Sequence, residues 1–513
     1  MKTEIIKWSA ILLLVSTVVS VEAQTADELL QLGTHEIQGT ARFTGLGGAF
    51  NALGGDFGSL STNPAGIATY RSSEFVITPA LTLNNATAKF RGESLSDNRT
   101  RFGLANLGYV ATYLTRKSEG LVSVNFGIGY NKAANFYKRT RLRGYDSQNS
   151  ILDMFTQYAN NLKLDQDYLL NDDFQNILPE DWTTAMALYG EMIRYDNDGI
   201  YRSNGLDEGD VIDIYSSTLQ SGGTEEYTFS FGGNISNRFQ FGLTVGLQDL
   251  EYINNLNYRE EYIGSLEGIS DKYISSVRDE YTRTVGFGIN AKLGVIYRPI
   301  DAFRLGFAIH TPTFFNMERE YQVSMTSLYK TAGEDDSRSE DSPSDIYEYT
   351  LTTPYRMEFG LAYIFGKVGL ISVDYELVGN PSTRMRDNIL DNTDYVDVRN
   401  DAIKNSYRNT SNVRLGTEIN LPRGLMLRAG FNYFQSPYKD SSLDFARYKY
   451  SFGFGYRSKH FFADLAYSLN TGKYHFAPYY VNDYRIRDTD SNPDVAVENL
   501  KIGHIIATIG FKF

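Results

Sequence analysis

Charged residues set into otherwise apolar segments are the first chemistry this sequence offers. Lys292, Arg298, Arg304, Arg356, Arg414, Arg428 and Arg457 stand in stretches whose alternate positions are apolar, and Glu358, Asp374, Glu376, Glu418 and Asp464 occupy matching places. A guanidinium forks onto a carboxylate through two parallel hydrogen bonds. Two uses are therefore open. Arg304, Arg356, Arg414 and Arg428 are candidates to hold the carboxylate of an elongated apolar acid, or the whole set forms an internal network of ion pairs. His35, His310, His460, His475 and His504 show no metal-ligand spacing, and the chain has no Cys. No metal and no cofactor is expected. Only His310 and His504 fall in alternating segments, and neither is tied by sequence to a nucleophile, so no enzyme is expected either.

A second stretch is defined by geometry. Between Thr40 and Tyr70 lie Gly45, Gly47, Gly48, Gly54, Gly55, Gly58 and Gly66, and the stretch ends in Asn63-Pro64-Ala65-Gly66. Glycine at this density makes tight turns and lets backbone approach backbone. The stretch reads as a compact plug that fits inside something larger.

The elements that must position these residues alternate with period two. Val122, Val124, Phe126, Ile128 and Tyr130 oppose Ser123, Asn125, Gly127, Gly129 and Asn131, and similar runs continue from Phe75 to Phe513. One face is apolar and aromatic, the other polar and glycine-rich. The connections alternate short and long: Asn237-Arg238, Gly366-Lys367 and Pro422–Gly424 against 84–103, 132–224, 251–281 and 311–346. A soluble sandwich has no reason to gather its long loops at one end, whereas an outer-membrane barrel does so on its extracellular side. The fold expected is all-β, a transmembrane antiparallel β-barrel of about fourteen strands. A lumen of that width leaks unless it is filled, which gives the glycine-rich plug its task.

Composition fits this picture. The net charge of −13 argues against nucleic acid as a partner. The mean hydropathy of −0.34 hides lipid-facing residues that are spread by alternation. Residues 1–23 read as an export signal, with Lys2 and Lys7, an apolar core from Ala10 to Val19 and a small-residue cleavage site at Ala23. The domains expected are the signal at 1–23, a hatch at 24–72, and a barrel at 73–513 that carries an insertion at 132–224. The location expected is the outer membrane of a Gram-negative cell. Phe511 and Phe513 close the last alternating run, and an aromatic end there resembles the signal read by the outer-membrane assembly machinery.

Gly45-Leu46-Gly47-Gly48-Ala49-Phe50, Asp56 and Asn63-Pro64-Ala65-Gly66, placed directly before the first strand, resemble the N-terminal hatch of the FadL/TodX outer-membrane transporters. That resemblance implies a barrel that passes long-chain fatty acids or other hydrophobic molecules. Asn63, Pro64 and Ala65 are then the tip of the hatch against the barrel wall. In that family the third strand is kinked beside the hatch and opens a lateral path. Gly127 and Gly129 either ease such a kink or only make room for the plug.

The long connection at 132–224 carries two helical stripes, one with Ile151, Leu152 and Phe155, the other with Trp182 and Met186. They either pack on each other or, as in the family, enclose a groove that gathers apolar ligand. The partners expected are outer-membrane lipid, a hydrophobic small molecule with fatty acid foremost, and the assembly machinery, with the protein itself a monomer. The alternative is a barrel of a protein-secretion system that docks a cargo through its outer loops. The acidic runs Glu334-Asp335-Asp336 and Glu340-Asp341, and Asp196-Asn197-Asp198-Gly199, read as solvated loops rather than calcium sites.

Overall fold

A computed structural model describes residues 22–146, 149–171, 174–207, 209–269, 271–387, 393–441, 445–479 and 495–513. Most of the expected export signal, 1–21, lies outside the described residues.

Among the described residues fourteen strands pair antiparallel with their neighbours and close into a barrel. They are β1 (Glu74–Phe90), β2 (Glu93–Leu114), β3 (Leu121–Asn135), β4 (Ile212–Ile235), β5 (Phe239–Tyr262), β6 (Lys272–Ile300) and β7 (Phe303–His310). Then follow β8 (Arg356–Ile364), β9 (Gly369–Val378), β10 (Thr410–Asn420), β11 (Leu425–Phe434), β12 (Arg447–Arg457), β13 (Phe461–Phe476) and β14 (Ala496–Lys512). The first and last strands close the ring through pairs such as Phe75 with Phe511. Every alternating run read from the sequence is one of these strands.

Alternation decides which face meets lipid. On β5, Phe239, Phe241, Leu243, Val245 and Leu247 point outward, while Gln240, Thr244 and Gln248 are buried inside. Exposed Phe, Tyr, Leu and Ile cover the outside of strand after strand, including Phe126, Phe229, Phe359, Phe452 and Ile509. A soluble protein would not expose so wide an apolar surface. As the outer surface of a barrel in lipid it is expected. No helix among the described residues is long and apolar enough to cross a membrane; the strands make the crossing.

The long connections differ from the expected loops. β5 has 24 residues, about 80 Å at ~3.3 Å per residue, far more than an apolar band of about 25 Å requires. Its outward residues turn polar at Asp249 and Glu251, which marks where it leaves the membrane. Likewise 84–103 is a hairpin that extends β1 and β2, and 314–331 continues alongside β6. The acidic runs expected as loop form the strand Glu334–Asp341, paired with 324–331. Backbone groups that pair in a ladder need no apolar alternation, so the sequence pattern ended where the lipid ended.

The insertion after β3 holds α3 (Ile151–Leu162), α4 (Gln166–Leu169) and α5 (Trp182–Tyr189). Upstream, α1 (Glu22–Leu32) and the short α2 (Ala41–Gly45) belong to the chain inside the barrel, and α6 (Thr393–Ser406) lies over its outer end.

Candidate functional site

The site is the filled lumen. From Ala41 to Ala68 nearly every residue of the hatch is buried. The turns of the hatch are made by local chemistry. Asp56 caps Phe57–Ser61 by accepting from the Gly58 amide, and Asn63 caps Pro64–Thr69 by accepting from the Ala65 amide. Gly47, Gly48, Gly54 and Gly55 take positive φ, which lets the chain reverse twice within a few residues.

The wall receives this plug on glycine. A β-carbon at Gly242 of β5 would stand 2.6 Å from the Ala65 amide nitrogen, and one at Gly294 of β6 would meet the Asn63 carboxamide. One at Gly360 of β8 would lie 2.8 Å from Asn51 Cβ, and one at Gly453 of β12 would be 3.2 Å from Gly45 Cα. Many of these glycines sit opposite each other across the ladders: Gly108 with Gly129, Gly232 with Gly242, Gly242 with Gly294, Gly306 with Gly360, Gly416 with Gly430. They form a belt at one height on ten strands, and the hatch touches each of them. Sequence reading singled out only Gly127 and Gly129. The signal it missed is a lumen-facing glycine recurring at one height on strand after strand.

Asn63, Pro64, Ala65 and Gly66 lie within this contact. Asn63 Nδ2 donates to the Asn51 carbonyl at 2.7 Å and to the Val295 carbonyl of β6 at 3.2 Å. Gly127 faces Ile67, and Gly129 faces the Phe57 ring. The ladder from β2 to β3 runs unbroken from Asn106 with Asn131 to Leu114 with Ser123. Both glycines face the plug, and the ladder from β3 to β4 shifts register between Leu121 and Ser123 and again between Lys132 and Ala134.

Lys292, Arg304, Arg356, Arg414 and Arg428 are engaged. Arg428 Nε reaches Glu418 and its Nη1 reaches Asp464, both at 2.6 Å, and Glu418 also takes Arg42 of the hatch at 3.1 Å. Arg414 meets Glu376 at 2.8 Å and Glu358 at 3.7 Å. Arg304 Nη1 donates to the Leu53 carbonyl, and Arg356 Nη1 to the His35 carbonyl. Lys292 pairs with Glu226, which also accepts from Ser61 of the hatch. These pairs form an internal network tied to the plug. Arg42, Glu36 and Glu226, absent from the sequence-based set, are among its centres. Glu36 alone accepts from Arg447, Lys449 and Asn470 on the opposite wall.

Above the hatch a second closure was not foreseen. The apolar face of α1 (Ala26, Leu29, Leu32) packs on Leu250, Phe315, Met317 and Leu351, and α6 joins through Ile403. Tyr407 and Tyr438 both donate to Asp27 of α1.

In the insertion, Ile151, Leu152, Phe155, Trp182 and Met186 are all buried in one core with Phe90, Leu142, Tyr258 and Tyr273 of the extended strands. Trp182 stacks on Tyr321 and donates to the Ile177 carbonyl. Both stripes are packed into this core. Phe511 and Phe513 point to lipid, the latter stacked on Tyr109. Asp196 and Asp198 are both paired with Arg202, and no group of three metal-binding side chains is gathered among the described residues. His310 lies against the Thr62 carbonyl, and His504 against Thr82 and Gln38.

A fourteen-stranded barrel with an apolar outer belt and an N-terminal plug seated in its lumen is an outer-membrane barrel. Its fold is that of the FadL/TodX transporters. The toluene transporter TodX of Pseudomonas putida superposes with a TM-score of 0.53 at 13% identity, over 93% of this chain and 99% of that one. A FadL homologue of Pseudomonas aeruginosa gives 0.53 at 12% identity, over 94% and 100%. No family model and no curated protein matches the sequence.

Proposed function

We propose that this protein passes hydrophobic small molecules, long-chain fatty acids among them, passively across the outer membrane, with the hatch gating passage. The observation that carries this reading is the seating of the hatch on the glycine belt. The hatch meets the wall closely at glycines on ten strands, which disfavours a wide water-filled pore for sugars or ions. A barrel stoppered in this way suits solutes that can leave water for an apolar path. The likeness in fold to a toluene transporter and a FadL homologue supports the same substrate class.

The test is uptake by intact cells that carry or lack the protein, with labelled oleate, toluene and a disaccharide compared. The expected result is faster uptake of the two hydrophobic solutes and no change for the sugar. Equal uptake of all three in both strains, or a gain for the sugar, overturns the proposal.

A further inference from the structure

The short connections gather at one end of the barrel, and that end is basic. They join β2 to β3, β4 to β5, β6 to β7, β8 to β9, β10 to β11 and β12 to β13. They expose the cations Arg116, Lys117, Arg238, Lys367, Arg423 and Lys459, against the exposed acids Glu119 and Asp301. The chain as a whole carries a net charge of −13, so this end runs against the balance of the molecule.

Turn geometry does not ask for these residues. Arg116 and Arg423 take φ of +61° and +64°, in the left-handed region where glycine or asparagine sits at little cost. Internal pairing does not ask for them either. Among the described residues none of the six meets a carboxylate or donates a side-chain hydrogen bond, whereas Lys292, Arg414 and Arg428 of the lumen are all paired. Cations kept against local geometry, with no partner in the chain, point to a partner outside it.

Depth says what that partner is. Arg116 follows Tyr113 by three residues, Arg238 stands beside Phe239, Lys367 follows Phe365 by two and Lys459 follows Tyr456 by three. These four rings are exposed on the outer face of the barrel. An aromatic girdle marks where hydrocarbon gives way to headgroups, and short turns mark the periplasmic side. Side chains a few residues beyond the rings therefore lie at the level of the inner-leaflet phosphates.

Distribution agrees with depth. Every short connection except the one from β6 to β7, which exposes Asp301, presents at least one cation. Adjacent connections are two strands apart, about 10 Å, close to the Debye length of about 10 Å at 0.1 M salt. The charges reinforce one another around the rim. A folded protein partner needs such charges on one side, whereas a leaflet meets all of them at once.

We infer that this basic rim binds the headgroups of anionic phospholipid in the inner leaflet of the outer membrane and holds a ring of that lipid around the barrel. The inference does not depend on which solute passes the lumen.

The experiment reconstitutes the full chain in equimolar phosphatidylglycerol and phosphatidylcholine. Spin-labelled analogues of each lipid report how strongly it associates with the barrel. The rim variant combines Arg116→Gly, Lys117→Gln, Arg238→Gln, Lys367→Gln, Arg423→Gly and Lys459→Gln, with glycine at the two left-handed positions so that the turns are kept. The control removes exposed cations from the other end, by Arg143→Gln, Arg259→Gln and Arg338→Gln. The unaltered protein is expected to favour phosphatidylglycerol about fivefold at low salt and less at high salt. The rim variant is expected to lose the preference and the control to keep it. Equal association of the two lipids with the unaltered protein overturns the inference, as does a preference that persists in the rim variant or is lost equally in the control. Lys367→Glu with Lys459→Glu, which leaves both left-handed turns untouched, is the second variant, and an unchanged preference in it also overturns the inference.

Discussion

Arg42 of the hatch and Glu418 of the barrel wall face each other at 3.1 Å, 376 residues apart in the chain. Glu418 is shared with Arg428, whose side chain is fully buried and takes Asp464 as its second partner. One wall carboxylate therefore ties the plug to the barrel and holds a second buried cation in place.

Glu418→Gln leaves Arg42 and Arg428 without their shared charge. Removing one partner of a buried pair costs about 3–5 kcal/mol. The expected outcome in planar bilayers is a noisier, larger conductance than the unaltered protein shows, with a lower unfolding temperature. Unchanged conductance together with unchanged unfolding would mean that the hatch is held elsewhere.

Gly242→Val places a side chain where the Ala65 amide already stands. Overpacking of this kind costs about 1–3 kcal/mol, and the plug has to yield because the wall is hydrogen-bonded on both sides. Ion conductance is expected to rise. Gly103→Ala is the control, since nothing lies within 4 Å of its added carbon. The control is expected to keep the stability of the unaltered protein within about 0.5 kcal/mol.

A pH dependence is built into the insertion. Glu260 lies on β5 well beyond the lipid boundary at Asp249, and it is fully buried. It accepts from Ser150 Oγ and the Ile151 amide at the start of α3, and from the Tyr258 hydroxyl. Burial dominates these donors and raises its pKa to about 7, with nearby Asp153 adding to the rise. The folded state then keeps a proton that the unfolded state releases near pH 4.5, so the stabilisation is complete below that pH. It is lost as pH rises through about 7, for a total near 3 kcal/mol. Amide exchange along α3 is expected to be faster at pH 8 than at pH 5, after correction for intrinsic rates, and Glu260→Gln is expected to remove the difference. An equal dependence in that variant would refute the assignment.

Trp182→Ala removes a large buried ring from the core of the insertion, at a cost of about 3–5 kcal/mol. Packing is its role in this geometry, so uptake per folded molecule is expected to saturate at the same ligand concentration as before. A shift in that concentration without loss of stability would instead make the stripe a ligand groove.

What the sequence determined by itself was everything carried by local period and composition. Strand alternation sets a lipid face and a lumen face residue by residue, which is why all fourteen strands were legible. The Gly45–Gly66 stretch announced a compact plug because small residues leave little choice of packing. The tertiary structure decided what depends on distant partners. The ion pairs of Arg356, Arg414 and Arg428 depend on carboxylates 20, 38 and 36 residues away, brought to them only by strand register. Ile151, Phe155, Trp182 and Met186 form a helical stripe whether they line a groove or fill a core, and only the strands that cover them distinguish the two.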